Sequence, residues 1–345
     1  KKKSVITANK ALIAEKGDYL FEFSKMQNSY IGYEASVAGA IPVISSLTHN
    51  MLNENIISIS GIINGTSNYI LDQMSSEKKS FKEALNNAQE LGYAEADPSF
   101  DIGGFDAAHK ISILANIAFD IKSPYKNMHI EGIDSIESMD IDYASELGYE
   151  IKHIATARSN GSQIECKVHP ALVNKKNILS KIDGVMNAVK IIGDKFGTSM
   201  LYGHGAGGAA TASAVVSNII DYCIHLDRRV KSKSDSIGSG SREIVDIQNI
   251  SNQYYLRMFA NDVPGVMADI TSTLAKHEIS IEAVTQHEPF ENEKLIPVVM
   301  ITNSVKYKDI LSAINKIETM DNIIGDVNLI RAVSYTHLTL PTTEY

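Results

Sequence analysis

The chain has 345 residues, 44% of them hydrophobic and 21% charged, with a formal net charge of −9. That length suggests two or three domains with real cores, and the acidic balance argues against a nucleic-acid partner. Cys166 and Cys223 stand in unrelated contexts, which excludes a disulfide framework or zinc pattern and suits a reducing cytoplasm; no apolar run reaches the ~18 residues that suggest a membrane span, and the opening residues do not read as a signal peptide.

In chain order, Ser4–Ile6 reads as a short buried strand, and Thr7–Lys10 leads into an Ala/Leu-rich helix expected to end at Gly17. Tyr30–Ala35 reads as a second strand, followed by Gly39, Ala40 and Pro42 and an apolar helix start at Val43–Leu47. Strand, turn and helix in this order form half of a parallel α/β unit. No glycine-rich dinucleotide fingerprint follows a strand in the first hundred residues. The expectation is a chain that opens inside an α/β domain whose first βαβ units are absent from this sequence.

Ile56–Ile63 is strongly β-branched and reads as a buried strand. Asn64–Asn68 is a polar turn opening a helix through Met74, and Ser80 caps a helix over Phe81–Leu91. Leu91–Lys110 (LGYAEADPSFDIGGFDAAHK) then gathers Glu95, Asp97, Asp101, Asp106, His109 and Lys110 around Gly92, Gly103 and Gly104. A helix is expected after the glycine pair, which puts Asp106 and Lys110 on one face. Alone, that pair reads as a surface ion pair of little worth. The density of glycine and carboxylate just upstream favours a polar substrate site.

Glu150–Ser159, Gln163–Leu172, Met186–Gly193 and Ser199–Gly203 look like antiparallel strands of one open sheet, so the middle domain is α+β. Gly203–Gly208 is a second glycine-rich loop before a long apolar helix over 209–226. It is either a tight turn or a place where backbone amides approach a phosphate or ring. Arg228–Asn252 reads as a linker, and Tyr255–Val333 as a βαββαβ, ferredoxin-like module. Residues 334–345 share no periodicity with what precedes them and resemble a non-native tail. His49, His153 and His169 lack ligand spacing and read as structural.

These residues carry a resemblance. VITANKALIA (Val5–Ala14), YEASVAGAIPVI (Tyr33–Ile44), GIINGTSNYIL (Gly61–Leu71), the Leu91–Lys110 stretch and GHGAGGAATASAVVSNI (Gly203–Ile219) resemble homoserine dehydrogenases in sequence and order. Asn261–Val266, at the first strand–helix turn of the last module, resembles an ACT domain, the amino-acid-sensing module of many family members. The resemblance implies the remainder of a Rossmann-type nucleotide-binding domain over 1–42 with helix 209–226 packing back on it. It also implies an α+β substrate and dimerisation domain with an open sheet over 43–205, a linker over 227–252 and an ACT domain over 253–333.

It further implies NAD(P)-dependent interconversion of L-homoserine and L-aspartate 4-semialdehyde in threonine, methionine and isoleucine biosynthesis. Hydride transfer to an aldehyde needs a proton donor or cation near the developing alkoxide. Lysine suits this, because its pKa falls when it is partly buried. By motif, Lys110 is the acid/base, Asp106 orients it or holds substrate, and Glu95 binds the substrate ammonium group. Gly92 and Gly205 fall where the backbone approaches the cofactor. Lys10 either joins the cofactor's nicotinamide end or is a solvated helix-start lysine. Glu34, Val37, Gly39 and Ile41 match a monovalent-cation site, usually sodium, although Ala40 stands where the family often has another glycine. Asp262 and Gly265 would bind an effector, threonine by family, at a domain–domain interface. A homo-oligomer, dimer or tetramer, is expected, with no membrane or nucleic-acid partner.

The missing glycine-rich turn departs from the family pattern, so the chain as written is expected to be weak or inactive alone. The competing expectation is a non-catalytic amino-acid-sensing ACT protein with a remnant dehydrogenase domain; intact Lys110, Asp106 and Glu95 argue against it.

Overall fold

The structure is a computed structural model that describes residues 3–122, 124–225, 242–286 and 295–333. The chain divides into two compact units. One runs to Pro170 and resumes over Lys175–Ile247, and the other joins Ala171–Asn174 to Gln248 and beyond.

The first unit opens with β1 (Val5–Ile6), α1 (Lys10–Gln27) and β2 (Ile31–Gly32), whose strands pair in parallel. Asn9 caps α1 by accepting from the Leu12 amide at 3.0 Å. The helix does not stop at Gly17. An interior glycine costs only about 1 kcal/mol, and Gly17 is buried with Phe21 packed beside it. The stop is Asn28, left-handed at φ 49°, whose amide donates back to Ser24 and Lys25. The strand expected over Tyr30–Ala35 is cut to two residues, because Glu34–Ser36 turns as a 3-10 segment.

After α2 (Val43–Ser45) and a wide helical turn to Asn50, β3 (Ile56–Ile62) enters the middle of a sheet. It is followed by α3 (Gly65–Ser76), α4 (Phe81–Glu90), α5 (Ser99–Ile102) and α6 (Phe105–Phe119). Then come β4 (His129–Ile130), α7 (Ser138–Glu146), β5 (Tyr149–Ser159) and β6 (Gln163–Asn174). β7 (Met186–Gly193), β8 (Gly197–His204) and α8 (Gly208–His225) complete the run. The sheet order is β6-β5-β3-β7-β8, with β3 antiparallel to both neighbours and β8 antiparallel to β7.

Helix α7 has no counterpart in the sequence analysis, where the strand pattern begins only at Glu150. It starts at a capping box between Glu137 and Asp140. Helix α8 returns to the first α/β element: the Glu34 amide donates to Asn218 Oδ1 at 2.9 Å, and Tyr30 stacks on Tyr222. Of the expected linker, Glu243–Ile244 is instead a strand, β9, parallel to Gln163–Ile164. Residues 226–241 and the tail 334–345 lie outside the described residues.

Helix α6 is the core helix of this unit. Ile111, Leu114 and Ala115 pack with Ile59 of β3, Ala155 and Ala157 of β5, and Val189 and Ile191 of β7. Twelve of its fifteen residues are buried, among them Asp106, His109 and Lys110. A helix buried on nearly every side is normally apolar all round, so those three polar residues need partners.

The second unit holds β10 (Ser251–Asn261), α9 (Val266–Lys276), β11 (Ile281–Gln286), β12 (Leu295–Thr302), β13 (Val305–Lys306), α10 (Tyr307–Ile317) and β14 (Ile323–Ala332). Its strand order β11-β12-β10-β14 is antiparallel throughout. Val266, Ile270 and Leu274 of α9 and Ile310, Ile314 and Ile317 of α10 cover Leu256, Met258, Val298 and Met300. This is the βαββαβ layout read from the sequence.

Gly61 marks a close approach of β3 to β7 in the central sheet. A Cβ there would lie 2.5 Å from the Ala188 carbonyl oxygen on β7. Gly61→Ala should therefore force β3 and β7 apart and cost about 1–3 kcal/mol. A thermal melt of the variant that matches the parent would refute this.

Candidate active site

The site grows from the start of α6. Gly103 and Gly104 end the α5 turn, and Phe105 begins the helix. Asp106 and Lys110, one turn apart, meet on its inner side: Lys110 Nζ donates to Asp106 Oδ2 at 2.7 Å and to the Ile63 carbonyl at 2.7 Å. The other carboxylate oxygen, Oδ1, lies 2.7 Å from Lys10 Nζ at the start of α1. One carboxylate, with its side chain 4% exposed, thus holds two lysines. Burial alone pushes the Asp106 pKa up, but the charges of Lys110 and Lys10 outweigh it and hold the carboxyl well below its ordinary value.

Asn64, the residue before α3, joins this group. Its Nδ2 donates to Asp106 Oδ2 at 2.9 Å and to Asp101 Oδ1 at 2.8 Å. Its Oδ1 accepts from the Ser67 amide at 2.7 Å, so the same side chain caps α3. Ser67 Oγ donates to the Asp101 carbonyl. Asp101 is half-buried; burial raises its pKa, opposed by the Asn64 hydrogen bond and reinforced by Asp106.

Beside the cluster, the Lys10 ammonium lies 5.9 Å from the centre of the Phe100 ring. His109 is packed between Phe100 and Tyr125. Its Nε2 is 3.3 Å from Glu15 Oε1, but too poorly aligned for a hydrogen bond. Burial lowers the His109 pKa, against the pull of Glu15. Behind α6, His153 Nε2 donates to the Glu131 carbonyl at 3.0 Å, and burial lowers its pKa to about 4.

The structure brings together Lys10, Asp106 and Lys110. Lys10, the first residue of α1, is ion-paired with Asp106 while its side chain stays partly exposed. Glu95 is exposed, on a loop held by Gln89 Nε2 donating to its carbonyl and by Thr66 Oγ1 donating to the Tyr93 carbonyl. Gly92, at the end of α4, is exposed with open space around its α-carbon. Gly205 and Gly39 touch backbone to backbone: a Cβ on Gly39 would meet the Gly205 carbonyl at 2.9 Å, and one on Gly205 would collide with the Asn187 amide. The Gly39 loop packs on the Gly205 backbone, and Gly205 packs on Asn187 of β7.

Around Glu34, both carboxylate oxygens accept backbone amides, from Ile44 at 2.9 Å and Ser45 at 2.7 Å. Burial raises the Glu34 pKa while these bonds lower it. The Ile41 carbonyl accepts from the Val43 amide. Among the described residues, no group of three or more His, Cys, Asp or Glu side chains is placed to hold a metal ion. In the second unit, Asp262 and Gly265 are exposed, and Gly265 is the residue before α9.

Sequence reasoning placed Asp101 and His109 in the polar stretch without individual roles, and Asn64 only in the turn that opens α3. Asn64 carried a local signal as an N-cap, but its carboxylate partners come from α5 and α6.

The homoserine dehydrogenase family profile matches residues 42–220, and the ACT domain profile matches residues 254–319. The chain belongs to the homoserine dehydrogenase family. It is 41% identical to the homoserine dehydrogenase of Neisseria gonorrhoeae over 337 residues, covering 96% of this chain and 77% of that protein. Identity to the Helicobacter pylori homoserine dehydrogenase is also 41%, over 334 residues, with 96% and 77% covered. The crystal structure of a homoserine dehydrogenase from Thiobacillus denitrificans superposes with a TM-score of 0.90 at 39% identity, over 96% of this chain and 76% of that one. A hyperthermophilic archaeal homoserine dehydrogenase mutant in complex with NADPH matches with a TM-score of 0.57 at 31% identity, over 66% of each chain. As a family member the chain is an oxidoreductase of amino-acid biosynthesis with an ACT domain. No helix among the described residues is long and apolar enough to cross a membrane.

His153 supplies a pH test. Its folded pKa, about 4, lies below the ordinary 6.5, so the unfolded chain takes up a proton first as pH falls. Stability is full above about 6.5 and declines through that window, by on the order of 3 kcal/mol at most. Urea unfolding at pH 7 and pH ~4.5 should show a smaller loss for His153→Gln than for the parent. An equal loss would clear His153.

Proposed function

We propose that Lys110 Nζ is the proton donor and acceptor for the C4 oxygen of the substrate in the interconversion of L-homoserine and L-aspartate 4-semialdehyde. The observation that carries this is the Lys110–Asp106–Lys10 arrangement, with both α6 side chains buried. An ammonium group has three donors. Two of those on Lys110 are engaged, by Asp106 and by Ile63. The third is left for substrate oxygen. Asp106 fixes the direction of that donor, and Lys10 adds positive charge where an alkoxide develops. In the oxidative direction the same nitrogen accepts the hydroxyl proton. Glu95 is the partner for the substrate ammonium group; its exposed carboxylate supports a role in capture rather than in the preformed cluster.

A bound nicotinamide, NADP or NAD, would accept or supply the hydride. The β1–α1–β2 unit fits that end of the cofactor. Open α/β sheets take ligands beyond the carboxyl ends of their strands, and there β1 runs into Thr7–Lys10, beside Asp106. Gly92 and Gly205 complete the cofactor surface in this reading. For the monovalent cation, Glu34 and the backbone carbonyls of Val37, Gly39 and Ile41 would supply the oxygens; the Glu34 oxygens and the Ile41 carbonyl each accept one backbone amide already and keep a lone pair for the ion. No step depends on that ion. Both cysteines are free thiols, in keeping with a reducing cytoplasm. The ACT unit would sense threonine at Asp262 and the turn amides at Gly265, where the α9 N-terminus favours the effector's carboxylate. A homo-oligomer completes the reading.

In the full-length gene product, homoserine-dependent NADP reduction should fall at least about a hundredfold in kcat for Lys110→Ala. Retained turnover would remove Lys110 from the chemistry. Separately, Asp262→Ala should abolish threonine inhibition while leaving uninhibited turnover intact, and unchanged inhibition would take Asp262 out of the effector site.

A further inference from the structure

Asn64 touches both carboxylates of the cluster. Its amide nitrogen spans Asp101 Oδ1 and Asp106 Oδ2 at 2.8 and 2.9 Å. Its orientation is fixed, because the Ser67 backbone amide can only donate and must face the amide oxygen. Asn64 is 5% exposed, so these bonds are sheltered from water. Both hydrogens of the amide nitrogen are used and no charge is added.

The electrostatics of the cluster give this bridge a purpose. Asp106 is paired with Lys10 and Lys110. Among the described residues Asp101 makes no ion pair; beyond the Asn64 amide, the more distant Lys110 charge and a Thr66 hydrogen bond favour its charged form. Two carboxylates held close with unequal pairing repel, and the unpaired one tends to protonate or swing away. A neutral double donor between them satisfies one oxygen of each and sets their separation. A lysine or arginine there would instead compete with Lys110 for Asp106.

We infer that Asn64 is a positioning residue for the dehydrogenase reaction, whose amide locks Asp101 and Asp106 in one geometry and so aims Lys110. This rests on the reading of Lys110 as the proton donor and acceptor. Asn64 acts through the two carboxylates and takes no proton itself. It also couples that geometry to α3, because the same side chain caps the helix. The titratable groups facing the amide are Asp101 from α5 and Asp106 and Lys110 from α6, with Lys10 from α1 across the Asp106 carboxylate and His153 from β5 behind α6.

Asn64→Ser separates the two duties. Serine is also a good cap, so α3 keeps its start, while both donors to the carboxylates are lost. Asn64→Asp keeps the shape and the cap and sets a third carboxylate against the other two. In the full protein, Asn64→Ser should keep the parent melting temperature within a few degrees and lose about tenfold to a hundredfold in kcat, with a smaller change in KM. The acidic limb of its pH–rate profile should move to higher pH, because Asp101 loses a bond that favours its charged form. Asn64→Asp should be at least as impaired at neutral pH. Parent kcat and pH profile in folded Asn64→Ser would overturn the inference, as would a lower melting temperature with an unmoved profile. Lys110→Ala measured alongside tells the two readings apart: if it is active, the reading of Lys110 fails; if it is inactive and Asn64→Ser is normal, only the positioning role fails.

Discussion

The first unit depends on one buried carboxylate. Asp106 sits on the central helix, where an unpaired charge would cost several kcal/mol. It is tolerated because two lysines and an amide converge on it. The three elements that supply them, α1, α6 and the start of α3, are thereby committed to one arrangement. Replacing such a pair with apolar residues is often neutral for stability, whereas breaking it by removing one partner costs about 3–5 kcal/mol. The arrangement is therefore better understood as a means of presenting charge than as a source of stability.

The same logic explains why the site is assembled from distant segments. Lys110 is anchored within its own helix and to the Ile63 carbonyl at the end of β3. Lys10 comes from the α/β opening, and Asn64 from the turn after β3. Each contributes what the others lack: a donor fixed in direction, a cation open to solvent on one side, and a neutral bridge.

Much of this was legible in the chain. The spacing of Asp106 and Lys110 was readable because a helix places residues four apart in contact. The second unit was readable because its strand and helix periods alternate cleanly and its turns carry Asn, Asp, Pro and Gly. Lys10 stayed ambiguous because its partner lies on another helix, and no local pattern encodes a tertiary contact. Asn64 advertised its cap but not its bridge, for the same reason. Gly17 misled because a glycine inside a helix is punished only mildly, and the true stop was a left-handed asparagine. Helix α7 was hidden by a capping box built from two acids, without the usual serine or threonine.

The burial of α6 has a consequence for motion. Local opening of a protein is cheapest where few apolar contacts are lost. Asp106 and Lys110 ride on a helix with almost no exposed residue, so they behave as a rigid wall that moves only when the unit unfolds. The opposite side is different in kind. Lys10 is partly exposed at a helix end, and Glu95 sits on an exposed loop. If Lys110 handles the proton as proposed, movement for substrate entry and product release would fall to α1's first turn and the loop around Glu95, while the Asp106–Lys110 side keeps its geometry.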